Sequence, residues 1–559
     1  MPEASRGIPV NIAQHLSEMA AIQPDRAAVI CARGRGPHGE PVYEQLSFKQ
    51  LDTLSNQLAS GFDAIGIRRG VHTALMVPPS LDFFSLTFAL FKVGAVPVLI
   101  DPGIGVRNLG RCLAQARPEA FVGVPKAHAA RVLFGWARKS LRVMVTASVR
   151  WFWGGHTLRE LMRPGPAAKP FHVAVQPRSQ ETAAILFTSG STGIPKGAVY
   201  THEMFGAQVH HIRTLYGIQP GEIDLATFPL FALFGPALGM TAVVPEMDPT
   251  RPANVDPTKI ISAIQKFRVT NMFGSPALVN RVGRHGEAHG VRLPSLRRVI
   301  SAGAPVPART IARFTKMLEK GAQVFTPYGA TECLPVASIG SDEILSETAE
   351  MTDRGSGVCV GKPVAGLQAR IIQIRDEAIP EWIDTLDVGI GEIGEIAVKA
   401  LHASRSYFEM PGSTDLAKIQ DRVNGGFYHR MGDLGYYDAA GRLWFCGRKS
   451  HRLLTSHGTL FTIPCEAVFN THPQVFRTAL VGVCRSGETI PVICVELELS
   501  AKKSPKGKII EELQRIAVAY PHTENIKTFL LHGAFPVDIR HNAKIFREKL
   551  AVWAARKMK

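Results

Sequence analysis

The chain of 559 residues has few cysteines, and none of the eight is spaced as a metal site or a redox pair would require. There is no C-x-x-C pair, and no spacing resembles that of a zinc site. This pattern argues against a metal centre built from thiolates and favours reduced thiols in the cytoplasm. The amino terminus has early acidic residues and lacks the apolar core of a signal peptide, which agrees with that location.

The sequence also lacks a basic arm interleaved with aromatic residues, so nucleic acid is the weakest candidate partner. Basic side chains nevertheless outnumber acidic ones, 64 to 47. This surplus favours anionic partners such as nucleotides, acyl phosphates or an acidic membrane face. The densest basic run, AKKSPKGK at 501–508, is typical of a solvated loop, with attraction to a membrane surface as the lesser alternative.

Charge is absent from residues 225–245, LATFPLFALFGPALGMTAVVP, a stretch long enough to cross a bilayer. Its three prolines and two glycines would interrupt a helix repeatedly. We therefore predict a buried wall or an apolar substrate channel and no transmembrane segment, and a peripheral membrane contact stays open. The candidate residues of an acyl pocket are Phe228, Phe231 and Phe234.

Alternating patterns in the first part of the chain predict an α/β fold. A helical pattern at 80–94 lies between strand patterns at 72–78 and 95–101, and the same alternation returns up to a helix predicted at 307–321. This βαβ rhythm predicts a largely parallel sheet covered by helices. The length of the chain requires further domains. A β-rich pattern follows after about residue 360, and a compact α+β pattern occupies the last hundred residues.

The stretch LFTSGSTGIPKGAVYTH at 186–202 combines glycines, hydroxyl side chains and one lysine. Such donors suit a bound polyphosphate. A Ser/Gly linker is the alternative, but linkers are not usually flanked by apolar runs. Pro195 before the lysine excludes the common P-loop, and the G-x-S-x-G order of a hydrolase is missing. The candidate phosphate-binding residues are Thr188, Ser189, Gly190, Ser191, Thr192, Gly193 and Lys196.

Four later stretches add candidate ligand-binding groups. Glu332, at the end of TPYGATE, is suited to hold Mg²⁺, although a surface glutamate is the commoner case. Asp433 is suited to ribose hydroxyls and Arg448 to ribose or phosphate oxygens, with a plain β-hairpin as the alternative. SAGAPVP at 301–307 offers backbone against which a flat base can lie. Lys544 lies in RHNAKIFREKL, where a helix-face lysine is the default.

Taken in this order, the motifs resemble those of the adenylate-forming superfamily of acyl-CoA synthetases, luciferases and peptide-synthetase adenylation domains, over nearly the whole chain. The resemblance implies a large N-terminal domain at 1–447, with a β-rich subdomain at about 360–447, and a small mobile α+β lid domain at 448–559. Ser450 would mark the hinge. ATP and Mg²⁺ would be the cofactors.

The resemblance also assigns roles. The glycine-rich loop would wrap the β- and γ-phosphates, Glu332 would ligate Mg²⁺, and Thr331 would touch the α-phosphate. Lys544 would bridge the substrate carboxylate and the α-phosphate, and Lys196 and Glu332 would share in catalysis. The implied contacts of adenine and ribose are Gly303, Ala304, Pro305, Tyr328, Gly329, Asp433 and Arg448.

Three departures separate the chain from typical acyl-CoA synthetases, and one of them is that the lysine motif, VDIRHNAKIFREKLAVWA at 537–554, lacks the usual Pro-Lys-Thr and glycine before it. Ala232 stands where they often carry the histidine of P-x-F-H-x-x-G, and Ser450 stands where an aspartate usually follows the hinge arginine. The serine puts in doubt the lid rotation that opens a channel for CoA.

Within the superfamily, the stretches 100–131, 187–205, 228–239 and 540–550 resemble most the β-lactone synthetases of bacterial long-chain olefin biosynthesis. The resemblance implies adenylation of a long-chain 2-alkyl-3-hydroxy acid, followed by attack of its own β-hydroxyl to give a β-lactone, AMP and pyrophosphate. It also implies other enzymes of that pathway as partners.

Two alternatives are a long-chain acyl-CoA or acyl-carrier ligase and a non-catalytic nucleotide- or lipid-binding scaffold. No motif identifies a base for the hydroxyl proton, and the available histidines are His202, His210, His211, His451, His457 and His541.

Overall fold

The computed structural model describes residues 11–37, 39–163, 177–188, 195–228, 232–538 and 544–558. Several residues singled out in the sequence lie outside these ranges, namely Ser189, Gly190, Ser191, Thr192, Gly193, Phe231 and His541.

The first third of the described chain alternates helices and strands as the sequence predicts. Ser47 and Gln50 form a capping box at the start of the second helix, and Gly94 ends the third in a left-handed conformation. The helices and strands are α1 (Ile12–Ile22), β1 (Ala27–Arg35), β2 (Pro41–Ser47), α2 (Phe48–Ala64), β3 (His72–Met76), α3 (Leu81–Val93), β4 (Val96–Ile100), α4 (Val106–Ala116), β5 (Ala120–Gly123), α5 (Pro125–Phe134), β6 (Val143–Thr146), β7 (His156–Thr157), α6 (Leu158–Leu161), β8 (Thr182–Thr188) and β9 (Lys196–Thr201).

The middle third continues this alternation and then becomes antiparallel. Its helices and strands are α7 (His202–Tyr216), β10 (Ile223–Ala226), α8 (Phe234–Leu238), β11 (Thr241–Val244), α9 (Pro257–Phe267), β12 (Asn271–Phe273), α10 (Pro276–His289), β13 (Arg298–Ile300), α11 (Ala308–Thr315), β14 (Gln323–Ala330), β15 (Cys333–Gly340), α12 (Ser341–Glu343), α13 (Ala349–Asp353) and β16 (Val358–Pro363).

The last third is richer in antiparallel strands. Its helices and strands are β17 (Gln368–Ile372), β18 (Gly394–Lys399), α14 (Pro411–Ala417), β19 (Lys418–Gln420), β20 (Phe427–Tyr437), β21 (Leu443–Arg448), β22 (Leu453–Thr455), β23 (Gly458–Leu460), α15 (Thr462–Asn470), β24 (Val475–Arg485), β25 (Glu488–Leu497), α16 (Lys506–Val518), β26 (Thr528–Leu531) and α17 (Arg547–Lys557).

Two large sheets form the N-terminal body. One has the order β7-β6-β5-β3-β4-β8-β9 and is parallel except for the β8–β9 pair. The other is parallel from β1 through β11, β10, β12 and β13 to β14, and antiparallel beyond. The largest core cluster packs α1, α2, α3 and α7 between these sheets, with Phe48, Phe62, Phe84 and Phe91 buried in it. The predicted helix-covered parallel sheets are confirmed.

The β-rich part after residue 360 extends the second sheet. β16 pairs with β15 on one side and with β21 on the other, so the order continues as β16-β21-β20-β18-β17. This joins the β-rich strands edge to edge to the parallel strands. The limits of a subdomain at about 360–447 stay a prediction.

A smaller α+β region forms the carboxyl-terminal part. β24, β25 and β26 make a three-stranded sheet, and α15, α16 and α17 pack on it around their own apolar clusters. Arg309 of the larger body donates a hydrogen bond to the Phe476 carbonyl at 2.6 Å, and Arg284 lies 3.2 Å from Glu498. The boundary between residues 447 and 448 and the mobility of this region stay predictions.

The uncharged stretch 225–245 is not one helix. Its described residues form the end of β10, helix α8 and β11, and Leu225, Ala237 and Val243 are fully buried. This burial agrees with the predicted wall. In the described ranges, every helix is too short or too polar to cross a membrane.

The helix predicted at 307–321 is wrong at its carboxyl end. α11 stops at Thr315, because Met317 and Leu318 turn inward and become buried. Arg292 and the backbone N–H of Leu293 bind the carbonyls of residues 316–318. These long-range partners replace the helical hydrogen bonds that the local sequence favours.

Candidate active site

The residues on either side of the glycine-rich stretch lie at an edge of the seven-stranded sheet. Thr188, the last residue of β8, pairs with Lys196, the first residue of β9. A Cβ at Gly197 would lie 2.9 Å from the Ile185 side chain. Glycine therefore lets β9 approach β8 closely just beyond the lysine. The backbone of β9 also binds the segment around Tyr407, through the N–H of Phe408 and the carbonyl of Gly197 at 2.7 Å.

Tyr407 connects the two predicted catalytic residues of the N-terminal body. The Lys196 Nζ lies 5.0 Å from the centre of the Tyr407 ring, a cation–π distance. The Tyr407 hydroxyl donates a hydrogen bond to the Glu332 Oε1 at 2.7 Å. Burial, and then the negative charge of Glu332, raises the pKa of Tyr407 well above its usual value, so the hydroxyl remains a donor. The structure thus brings Lys196 and Glu332 to one side chain.

The backbone of Thr331 and Glu332 is fixed from both sides. The buried Tyr200 of β9 donates its hydroxyl proton to the Thr331 carbonyl, and the Ser404 N–H binds the Glu332 carbonyl at 2.7 Å. At Gly329 a Cβ would lie only 2.6 Å from the Cys333 carbonyl oxygen. A tight turn that only glycine permits therefore presents the Glu332 carboxylate to Tyr407.

A buried lysine lies behind this turn. Lys418 donates to the Ser404 carbonyl, and its Nζ lies 3.0 Å from the His429 Nδ1. Burial lowers the pKa of Lys418 to about 7, while the charge of Glu332 opposes that shift. Burial, and then Lys418, holds the pKa of His429 well below its usual value, so its ring is neutral, and the His429 Nδ1 also lies 3.2 Å from the Ala417 carbonyl.

Asp433 and Arg448, which the resemblance assigns to ribose, lie side by side. They are directly opposite each other in the β20–β21 pair, and the Arg448 Nη1 is 3.0 Å from the Asp433 Oδ1. The Tyr328 hydroxyl donates to the Asp433 Oδ2 at 2.8 Å. Burial raises the pKa of Asp433, and Arg448 opposes that rise. Tyr328 therefore contacts the carboxylate predicted to hold ribose.

The segment predicted to face adenine follows β13. Because β13 and β14 pair in parallel, residues 301–305 lie beside the strand that carries Tyr328 and Gly329. The Ser301 hydroxyl is buried and has no hydrogen-bond partner within the part of the chain that the structure describes. Gly303 has a φ of 97°, which favours glycine. An orphaned buried hydroxyl next to a side-chain-free position is suited to a polar planar ligand.

Lys544 belongs to the carboxyl-terminal region. Its carbonyl accepts a hydrogen bond from the Asp538 N–H at 2.9 Å, and the residue is half-buried. Burial lowers the pKa of His451 to about 3, and the charges of Arg547, Arg448 and Lys544 lower it further in that order. His451 is therefore neutral, and Lys544 lies near enough for its charge to act on that ring. Ser450, the predicted hinge, lies in the short turn Lys449–His451 directly after β21.

Two of the three candidates for an acyl pocket lie in the described ranges. Phe228 packs against Phe273 with ring centres 6.3 Å apart, and Phe234 packs against Phe205 at 6.4 Å. Four other histidines named as available bases are described. His202 begins α7, His210 and His211 lie further along that helix, and His457 is exposed in the β22–β23 turn.

Comparison with known proteins assigns the family. Residues 16–408 match the family described as AMP-binding enzyme. The chain is 49% identical over 549 residues to an olefin beta-lactone synthetase of Xanthomonas campestris pv. campestris, covering 98% of this chain and 97% of that protein. It is 50% identical over 552 residues to an olefin beta-lactone synthetase of Stenotrophomonas maltophilia, covering 98% of both. The solved structure of an anthranilate CoA ligase, AuaEII, in complex with anthranoyl-AMP superposes with a TM-score of 0.79 at 19% identity over the full length of both chains.

A first prediction concerns Tyr407, which no motif in the sequence indicated. Tyr407→Phe keeps the ring beside Lys196 and removes the hydrogen bond that orients Glu332. If Glu332 holds Mg²⁺, as the sequence predicts, ATP–pyrophosphate exchange should fall about ten- to a hundredfold and the Mg²⁺ requirement should rise, because groups that orient a metal ligand contribute this much.

Tyr428→Phe is the matched control. It also removes a tyrosine hydroxyl, but this one donates to the Gln368 Oε1 at 2.9 Å and takes no part in the contact with Glu332. Equal exchange rates and equal Mg²⁺ dependence in both variants would show that the Tyr407–Glu332 contact has no part in the reaction.

Proposed function

The chain belongs to the AMP-binding enzyme family and is an adenylate-forming enzyme; on that basis we propose the reaction that it catalyses. It adenylates a long-chain 2-alkyl-3-hydroxy fatty acid with ATP and closes the product to a β-lactone, releasing pyrophosphate and AMP. The observation that carries the adenylation step is the convergence of Lys196 and Glu332 on Tyr407. The identity of 49% and 50% to two olefin beta-lactone synthetases supports the lactone step.

The residues present fit ATP. The Asp433 carboxylate and the Arg448 guanidinium, together with the orphaned Ser301 hydroxyl, offer polar groups for ribose and base. Lys196 stands at the mouth of the loop proposed to wrap the phosphates. Glu332 and Thr331 lie beside it, where Glu332 would hold Mg²⁺; that ion, when bound, neutralises phosphate charge.

The adenylation step requires a carboxylate to approach an anionic α-phosphate. We assign Lys544 and Lys196 to offset that repulsion, because preorganised charges stabilise the charge that develops between the two reactants. Holding both in line supplies further acceleration. Tyr407 keeps the Glu332 carboxylate in position through its hydrogen bond.

The lactone step is intramolecular. The β-hydroxyl oxygen attacks the carbonyl carbon of the acyl-adenylate, the bond from that carbon to the phosphate oxygen breaks, and AMP leaves as the hydroxyl proton is released. The energy of the mixed anhydride offsets the strain of the four-membered ring. Ser450 in the predicted hinge agrees with a reaction that needs no CoA channel. The cytoplasmic location and the olefin-pathway partner enzymes stay predictions.

An acyl-CoA ligase is the second candidate, because the chain is also 25% identical to a long-chain-fatty-acid–CoA ligase, FadD13, of Mycobacterium tuberculosis over 85% of its length. Both candidates share the adenylation step. They differ in the group that displaces AMP.

A direct product analysis separates them. The protein is incubated with Mg-ATP and a long-chain 2-alkyl-3-hydroxy acid, with and without CoA, and the products are identified by NMR. We expect a β-lactone and AMP in both samples. A thioester that forms only with CoA, and no lactone without it, would contradict the proposal.

Lys544→Ala tests the assigned role of the carboxyl-terminal lysine. AMP release should be abolished while ATP binding, measured by calorimetry, is largely retained. Lys549→Ala is the control, because Lys549 is an exposed lysine on α17 whose Nζ lies 4.5 Å from the Phe546 ring. Unchanged turnover in Lys544→Ala would remove this lysine from the mechanism.

Asp433→Asn tests the ribose site. The native enzyme should prefer ATP to 2′-deoxy-ATP in kcat/KM, and the variant should lose most of that preference because its amide binds the hydroxyls without charge assistance. Asp438→Asn is the control, since Asp438 pairs with Arg442 at 2.7 Å in the same hairpin. If the preference is retained in Asp433→Asn, or lost equally in both variants, Asp433 does not hold the ribose.

A further inference from the structure

One stretch of the surface combines exposed apolar side chains with an unusual concentration of basic ones. The last residues of α5, Val132, Leu133 and Phe134, are all exposed, and Leu133 is 77% exposed. The loop after β6 exposes Val149, Trp151 and Phe152, the last at 78%. We call residues 132–142 and 149–152 the aromatic–basic surface. Large exposed apolar side chains that occur together mark interaction sites.

The loop is held firmly in this outward orientation. Trp153 is buried, its indole N–H binds the Thr146 hydroxyl at 3.0 Å, and its ring stacks on that of His128 at 5.3 Å. His128 is itself buried in α5, where its Nε2 lies 3.0 Å from the Val145 carbonyl. Trp153 thus ties the loop to α5, so that the preceding Trp151 and Phe152 face solvent. The exposure is built into the fold.

Basic side chains outnumber acidic ones in this stretch of sequence, although Arg142 lies 3.8 Å from Glu119 and Arg150 lies 3.5 Å from Glu160. Residues 124–163 hold eight lysines and arginines and a single acidic residue, Glu160, so they contribute a net charge of about +7 to the chain's +17. Arg138, Lys139 and Arg142 are exposed and directly follow the apolar end of α5. Three of the chain's six tryptophans also lie in these 40 residues.

We propose that the aromatic–basic surface docks the enzyme on an anionic lipid bilayer. Tryptophan and phenylalanine are suited to the interfacial region, where an apolar ring enters the acyl boundary. Arginine and lysine beside them are attracted to anionic headgroups. Neither the apolar rings nor the basic side chains alone give stable attachment, and this surface has both. The charge of one sign around the apolar residues favours a lipid surface over a second copy of this basic chain, which would be repelled.

The position of this surface leaves the candidate active site accessible. Both connections that form it belong to the β5-β6-β7 edge of the seven-stranded sheet, whereas β8 and β9, which hold the glycine-rich loop, form the opposite edge. Docking through residues 132–142 and 149–152 therefore leaves the nucleotide loop away from the bilayer. The inference does not depend on the proposed reaction, because binding to vesicles requires no turnover.

The full-length protein is tested by co-sedimentation with vesicles of phosphatidylglycerol and phosphatidylcholine, and with vesicles of phosphatidylcholine alone. We expect binding to the anionic vesicles that weakens with salt, and little binding to the neutral ones. The double variant Trp151→Ala/Phe152→Ala, and separately Arg138→Gln/Lys139→Gln, should each weaken binding about tenfold.

Ile390→Ala/Val423→Ala is the matched control, because both residues are exposed apolar side chains outside this surface. This control should bind like the native protein, and unchanged circular dichroism should show that all variants fold. In a further control variant, the lysines of the run 501–508 are replaced, and this variant should also retain vesicle binding.

The proposal is overturned by any of three vesicle-binding results. These are no binding to anionic vesicles, equal loss in Ile390→Ala/Val423→Ala, and loss only when the lysines of 501–508 are removed. A change in oligomeric state of Trp151→Ala/Phe152→Ala, with unchanged vesicle binding, would instead assign the surface to a protein contact and would also overturn it.

Discussion

The contact between the Tyr407 hydroxyl and the Glu332 carboxylate is the interaction on which the rest of the site depends. It joins a strand-to-turn segment at 326–332 to a segment around residue 407, and the same tyrosine ring faces Lys196 at the end of the glycine-rich loop. Lys196, Glu332 and Tyr407 lie more than two hundred residues apart from first to last. The fold thereby brings one cation and one anion to the same tyrosine side chain. Burial strengthens this arrangement, because a hydrogen bond to a charged group gains in strength when water is excluded.

The sequence singled out the glycine-rich stretch, Glu332, Asp433 and Arg448, but their roles came from their order along the chain and from the resemblance, and those roles stay predictions. Strand pairing brings Thr188 opposite Lys196 and Asp433 opposite Arg448. Tyr407 and Lys418 could not be found from the sequence. Each is an isolated residue whose partners come from distant segments, and the hydrogen bond or burial that gives it importance exists only after folding. The early end of α11 has the same origin, since Arg292 and buried Met317 override the local helical pattern.

The two regions of the chain contribute different charges to the site. The N-terminal body supplies Lys196, Glu332 and the buried carboxylate Asp433. The carboxyl-terminal region adds Lys544, whose charge acts on the neutral His451, whereas Arg547 forms an ion pair with Glu466 inside that region. Such a division is suited to anionic reactants, because charge from the smaller region adds to a site already built on the larger one. Residues 124–163, on the far edge of the seven-stranded sheet, contribute about +7 to the chain's net charge of +17, and part of this stretch forms the surface proposed to meet lipid.

The most direct test of the account follows oxygen atoms. A 2-alkyl-3-hydroxy acid labelled with oxygen-18 at both carboxylate positions is incubated with the enzyme and Mg-ATP. The masses of AMP and of the lactone are then measured by mass spectrometry. If the carboxylate attacks the α-phosphate and the β-hydroxyl then displaces AMP, one labelled oxygen appears in AMP and one remains in the lactone. If the hydroxyl were activated instead, AMP would carry no label and the lactone would keep both, which would contradict the adenylate as the intermediate.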